Sequence, residues 1–282
     1  MGHATYSVDN RQLRATALKY ESKPVQEIFT QAASRTVHSD MSPRDVIVRE
    51  CRNSVAHPAT VPIQLYLDVT GSMGSIPLEM IRNGLPKLMG NLIERGCTDA
   101  SLMFGAIGDH ECDRYPLQIG QFESGDAELD MWLTRTYLEG NGGGNGGESY
   151  LLAWYFAANH VSMDAAKGFV FTVGDEPCLP VLPKSALSSI MGSSAMAEGT
   201  LTAAQLLEAA RQKNHVFHIH VDHTNRAHPS DLREMLGSNF LVIKRADELS
   251  DIIIRTVLAN MTTEQPSVAS PAVSEPPIEN ML

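Results

Sequence analysis

Five short apolar runs divide the chain between residues 61 and 245, and the segments between them repeat their apolar positions at helical spacing. "VPIQLYLDV" (61–69) is apolar almost throughout, the pattern of a strand buried on both faces. "SLMFGAIG" (101–108), "GFVFTVG" (168–174), "HVFHIHV" (215–221) and "FLVIKR" (240–245) read the same way. After the first run, "SIPLEMIRNGLPKLMGNLIERG" sets Ile81, Leu85, Leu88, Met89 and Leu92 at helical spacing. Pro77 suits its first turn, and Pro86 is predicted to bend the helix. "SYLLAWYFAANH", "TAAQLLEAARQK", "PSDLREML" and "ADELSDIIIRTVLANM" supply further helices. Strands alternating with helices predict an α/β fold: a doubly wound, mostly parallel, Rossmann-like central sheet with helices on both faces. "DRYPLQIGQF" is short and turn-rich and reads as one antiparallel edge strand, where Pro116 is tolerated.

Two flanking segments break this alternation. Residues 1–60 read as an N-terminal extension, with an amphipathic stretch at 23–34 and an irregular approach to the first strand. Such an extension can wrap the sheet edge or mediate association. Residues 262–282 are rich in Pro, Ser and Glu and poor in aromatics, which predicts a disordered tail. The α/β domain is therefore assigned to residues 61–261.

Composition narrows the function classes. At 282 residues, 43% apolar and 20% charged, the chain matches an ordinary globular protein able to bury a sizeable core. The formal charge is -11, and the densest basic stretch, residues 44–52, is interrupted by Asp45 and Glu50. A nucleic-acid backbone is thus excluded as the main partner. Four cysteines lie far apart without a C-x-x-C pair, which fits a reducing compartment and neither a disulfide framework nor a zinc ribbon. The first residues lack an apolar signal core, no run approaches the ~18 apolar residues of a membrane span, and Tyr6 breaks a myristoylation pattern after Gly2. The expectation is a cytoplasmic, soluble protein with no membrane partner.

Candidate chemistry gathers at the strand ends, where open α/β sheets bind ligands. The first strand ends in "LDVTGSMG", offering Asp68, Thr70 and Ser72; the second ends at Asp109. The 168–174 strand runs into Asp175 and Glu176. Between them lies "GNGGGNGGES", in which six of the eight residues 140–147 are glycine and Glu148 follows at once. Carboxylates with hydroxyls suit a hard cation such as Mg²⁺. The glycine loop lacks G-x-x-x-x-G-K-[ST], and a carboxylate at its end repels phosphate, so it is no phosphate cradle. It reads instead as backbone that folds tightly over the strand ends and delivers Glu148. Ordinary roles compete at each position: Thr70 or Ser72 as a helix cap, Glu148 as a first-turn acid facing the helix dipole, Asp109 and Asp175 as loop acids. His218, His220 and His223 near Asp222 lack the usual zinc spacing and read as hydrogen-bonded strand-end histidines.

"DVTGSM" matches the D-x-S/T-x-S signature of the metal-ion-dependent adhesion site of von Willebrand factor A (VWA) domains. The order of strands and helices over roughly residues 61–261 also resembles that family. In particular, "VRECRNSVAHP", "GDHECDRYPLQIGQFES" and "GGGNGGESYLLAWYFAA" resemble a group of intracellular bacterial and phage VWA proteins whose role is unassigned. The resemblance implies that Asp68, Thr70, Ser72 and Asp175 bind a metal, Mg²⁺ or alternatively Mn²⁺ or Ca²⁺. The family's second-loop Thr is missing; Glu148 stands where a comparable integrin β variant uses a ligating Glu. Asp109 and Asn145 fall where those integrins build a second, adjacent cation site. The implied function is a non-catalytic, metal-dependent protein-interaction module that takes an acidic side chain from its partner, as an adaptor for an AAA+ ATPase or in a phage or bacterial assembly. The alternatives are a metal-dependent phosphoester hydrolase, which the same acid cluster would serve, and a scaffold whose metal site is vestigial.

Overall fold

The computed structural model describes residues 4–140, 146–222 and 229–264. In chain order its elements open with α1 (Val8–Leu18), α2 (Val25–Ile28), β1 (Arg49–Cys51) and β2 (Val61–Asp68). They continue with α3 (Ser75–Glu79), α4 (Leu85–Glu94), β3 (Ala100–Ile107), β4 (Leu117–Ile119), α5 (Asp126–Thr134) and α6 (Tyr150–Asn159). Then come β5 (Val161–Met163), β6 (Gly168–Gly174), β7 (Val181–Leu182), α7 (Lys184–Met191), β8 (Leu201–Thr202) and α8 (Ala203–Arg211). The last are β9 (Asn214–Val221), α9 (Ser230–Leu236), β10 (Phe240–Ile243) and α10 (Leu249–Glu264). Six strands form the central sheet in the order β10-β9-β6-β2-β3-β4. Every pairing is parallel except β3 with the edge strand β4. This is the predicted doubly wound, Rossmann-like sheet, and the winding reverses between β2 and β6.

Both faces of the sheet are covered, which explains the unbroken apolar runs. Along β2, Ile63, Leu65 and Leu67 join the core under α4 and α10, while Tyr66 turns to the opposite core with α6 and α8. Gln64 shares that second face and is fully buried, but it is satisfied: it accepts the Tyr66 hydroxyl at 3.0 Å and donates to Asn214 Oδ1 at 3.2 Å. Pro86 does not simply bend a helix. A π-helical turn, Met80–Gly84, precedes α4 and loosens the hydrogen-bond ladder just before the residue that has no N–H to give.

Several elements escape the apolar pattern. The amphipathic stretch at 23–34 forms only the four-residue α2 and turns, whereas α1 was not legible. The reason is electrostatic. α1 buries an arginine instead of a hydrophobe: Arg11 is 1% exposed, pairs with Asp130 Oδ1 at 2.6 Å, and donates to the Ile81 carbonyl. Arg14 reaches Asp130 at 3.2 Å and also Asp126. Tyr6, Tyr20, Phe29 and Met41 enter the main core, so the N-terminal segment is packed against the sheet domain. β1 pairs in parallel with β5 outside the central sheet. α5, α7 and the β7–β8 pair are likewise additions to the predicted elements. α10 continues to Glu264, past the boundary set at residue 261; the rest of the predicted tail lies outside the described residues. Among the described residues no helix is long and apolar enough to cross a membrane.

Removing Arg11 leaves Asp130 buried without its main counter-charge. Arg11→Met is expected to lower unfolding stability by about 3–5 kcal/mol in denaturant titration. Lys87→Ala, which breaks the exposed Lys87–Asp251 pair, should cost less than about 1 kcal/mol. Equal losses would assign the N-terminal packing to its apolar contacts alone.

Candidate metal centre

The sheet register levels three loops at its carboxyl edge. Asp68 is paired with Ile107 and Leu67 with Val173, so Asp109 and Asp175 each lie two residues beyond partners of the β2 end. Asp68 is fully buried. Its Oδ1 accepts two bonds from Thr70, one from the backbone N–H (2.8 Å) and one from the hydroxyl (2.7 Å). Thr70 occupies the cap position of the 3₁₀ turn Gly71–Met73 but makes no side-chain cap bond. Its hydroxyl hydrogen is directed to Asp68, which leaves the oxygen lone pairs for another partner. Ser72 sits within that turn; its side chain lies outside the described part of the structure.

Asp109 is also fully buried. Its Oδ1 accepts the Glu111 N–H at 2.8 Å, and its own N–H donates to Asp113 Oδ2 at 2.6 Å. Glu148 is positioned by backbone bonds to a neighbouring loop. Its N–H donates to the Pro177 carbonyl (2.8 Å), and its carbonyl accepts the Leu179 N–H (2.9 Å), forming a short parallel bridge with the loop after β6. The next residue, Ser149, donates its N–H to the Gly108 carbonyl (3.3 Å) and accepts the His110 N–H on its hydroxyl (2.8 Å). The backbone at 148–149 therefore spans the loops after β3 and β6. Glu148 does not serve as a solvated first-turn acid: it is 4% exposed.

One oxygen on each of three carboxylates is left over. Asp68 Oδ2, Asp109 Oδ2 and Glu148 Oε2 are all buried and find no hydrogen-bond donor among the described residues. Burial, reinforced by the charges of Asp68, Asp113 and Asp109, pushes the Glu148 carboxyl up to about 10. Burial, offset in part by the two Thr70 bonds and reinforced by Asp175 and Asp113, pushes Asp68 up to about 7. The group is an unneutralised set of oxygen donors of the type that hard cations take. No three His, Cys, Asp or Glu side chains among the described residues already stand at metal-ligand spacing. A cation here would thus need the Thr70 hydroxyl as well as carboxylates.

The structure brings Asp68, Thr70, Asp109, Glu148 and Asp175 to one edge. Asn145, assigned with Asp109 to a second cation site, lies outside the described residues. Three contributors were missed. Asp113 buttresses Asp109, and its only sequence signal is the acid four residues on in "GDHECD". His110 anchors Ser149. Tyr150 is fully buried, and its hydroxyl is subject to the charges of Asp68, Glu148 and Asp175. Its ring lies 4.6 Å from that of His218, whose Nδ1 is 3.0 Å from the Thr172 hydroxyl. Burial and the neighbouring His220 hold His218 down to about 3, so it is a neutral core histidine.

Gly174, the last residue of β6, makes room for Tyr150: a Cβ there would overlap the tyrosine hydroxyl. Gly174→Ala is expected to destabilise the fold by about 1–3 kcal/mol through overpacking, measured by thermal melting. A wild-type melt would show that the Tyr150 hydroxyl is not held in this place.

No family model and no curated protein matches the chain. Among solved structures, the chain is similar to the pilus adhesin SpaC from Lactobacillus rhamnosus GG. Its open conformation gives a TM-score of 0.46 at 9% identity over 75% of this chain and 31% of the adhesin. A second form of the adhesin gives 0.46 at 11% identity over 75% and 32%. The chain thus spans about a third of the adhesin's length. An aerotolerance-related membrane protein from Bacteroides fragilis gives 0.40 at 12% identity, over 71% of this chain and 99% of that one.

Proposed function

We propose that this protein is a non-catalytic, divalent-metal-dependent protein-interaction module of the VWA type. The observation that carries the reading is the set of three buried carboxylates at the switch point, each with an oxygen that has no donor. The strand order, with Asp68 and Asp175 flanking the reversal of winding, supports it. In this reading Asp68, Thr70 and Ser72 hold Mg²⁺ with Glu148 and Asp175. The ion supplies an electrophilic position that an acidic side chain of a partner protein fills. Thr70 keeps Asp68 oriented while its own oxygen remains available. Glu148, fixed through its backbone to Pro177 and Leu179, offers an internal carboxylate. That internal charge weakens the pull on a partner's acid, so the surrounding loops must contribute to recognition. A cytoplasmic setting, and an AAA+ ATPase or a phage or bacterial assembly as the larger context, rest on the sequence resemblance.

The raised carboxyl pKa values set the direction of pH dependence. The folded protein retains protons that an unfolded chain has released above pH ~4. Without a cation, stability is therefore highest in acid and is lost as pH rises through about 7 for Asp68 and towards about 10 for Glu148. A cation binds the ionised form and relieves that loss. In chelator, the melting temperature is expected to fall from pH 5 to pH 8, with Mg²⁺ restoring it at pH 8 and doing little at pH 5. Asp68→Asn should remove the Mg²⁺ response. Identical melts with and without the ion at pH 8 count against the metal.

Partner capture gives the functional test. Pull-down from the native cell should be lost in chelator and in Asp68→Ala, with circular dichroism showing that the fold survives. Capture that persists in both sinks the metal-dependent interaction.

A further inference from the structure

A second recess lies beside the metal-centre loops, between the β3–β4 loop, residues 42–44 and α7. It has a volume of about 340 Å³, at the small end of the range for small-molecule sites. Arg44 and Arg114 both line it, with His110 and Asp113 at its base. The Arg114 guanidinium pairs with no carboxylate among the described residues; it lies over the Tyr115 ring, 5.1 Å from the centroid. Arg44 is held by the Ser189 carbonyl at 3.0 Å, and its nearest acid, Asp45, is 4.0 Å away.

His110 is fixed at this wall by Ser149, whose hydroxyl accepts its backbone N–H and lies 2.7 Å from its Nδ1. One acid works against an anion here, Asp113, but its Oδ2 is occupied by the Asp109 N–H. Two guanidiniums thus face one engaged carboxylate. The lining also includes the apolar side chains of Pro43, Pro116, Leu117 and Ile190.

We propose that this recess binds a small organic anion, a phosphate monoester or carboxylate with an apolar body. The guanidiniums of Arg44 and Arg114 take the charged head, and the apolar body lies against Pro43, Leu117 and Ile190. Guanidiniums suit both heads because their forked N–H groups match paired oxygens. The site is independent of the metal reading, although both share the loop from Asp109 to Pro116.

The test is calorimetric titration of the full chain in chelator, where no cation can recruit phosphate to Asp68. Phenyl phosphate and benzoate represent the two anionic heads, phenol is the neutral control, and inorganic phosphate lacks the apolar body. Saturable binding of at least one aromatic anion is expected, with phenol and inorganic phosphate each at least about tenfold weaker. Arg114→Glu should weaken the anion by about tenfold, and Arg44→Glu with Arg114→Glu should abolish binding, with melting temperatures unchanged because both side chains are exposed. Asp68→Ala should bind as wild type, which separates this site from the metal centre. Phenol binding as tightly as the anions, no saturation below about 10 mM, or binding unaffected in the double variant would each overturn the assignment.

Discussion

Taking a carboxylate out of water is costly, and the carboxyl edge of this sheet does so three times within one cluster of loops. Burial and neighbouring charge raise the pKa of both Asp68 and Glu148, and no lysine or arginine pairs with either among the described residues. Protons or a cation must supply the balance.

The backbone makes that arrangement rigid. Glu148 is bonded through both its N–H and its carbonyl to the loop after β6, and Ser149 is tied to the loop after β3, so the main chain that carries the acid is pinned to both loops. Beneath it, Tyr150 fits only because β6 ends in glycine, and the His218 ring backs the tyrosine. On the outer side, His110 and Asp113 connect the same loop to the arginine-lined recess.

Much of the fold was legible because burial on two faces leaves an unambiguous pattern: β2, β3, β6, β9 and β10 all stand out as apolar runs. The D-x-T-x-S stretch and the acids at successive strand ends were read to one edge for the same reason, since a parallel sheet places consecutive strand ends together. The N-terminal packing was hidden. α1 is anchored by Arg11 and Arg14 on Asp126 and Asp130, and a buried ion pair separated by more than a hundred residues has no periodic signature. Asp113, His110 and Tyr150 were hidden for a related reason, because each acts through a contact that only the folded chain creates.

By itself, the sequence determined the strands of the central sheet, that the sheet is doubly wound, and that Asp68, Asp109 and Asp175 arrive at its carboxyl edge. Local pattern and parallel topology are enough for that. Tertiary structure decided the rest: that Thr70 faces Asp68 instead of capping its turn, and that Glu148 is buried instead of solvated. The difference is physical. A side chain's periodicity reports whether it is buried, but the partner that satisfies or fails to satisfy a buried polar atom comes from distant parts of the chain.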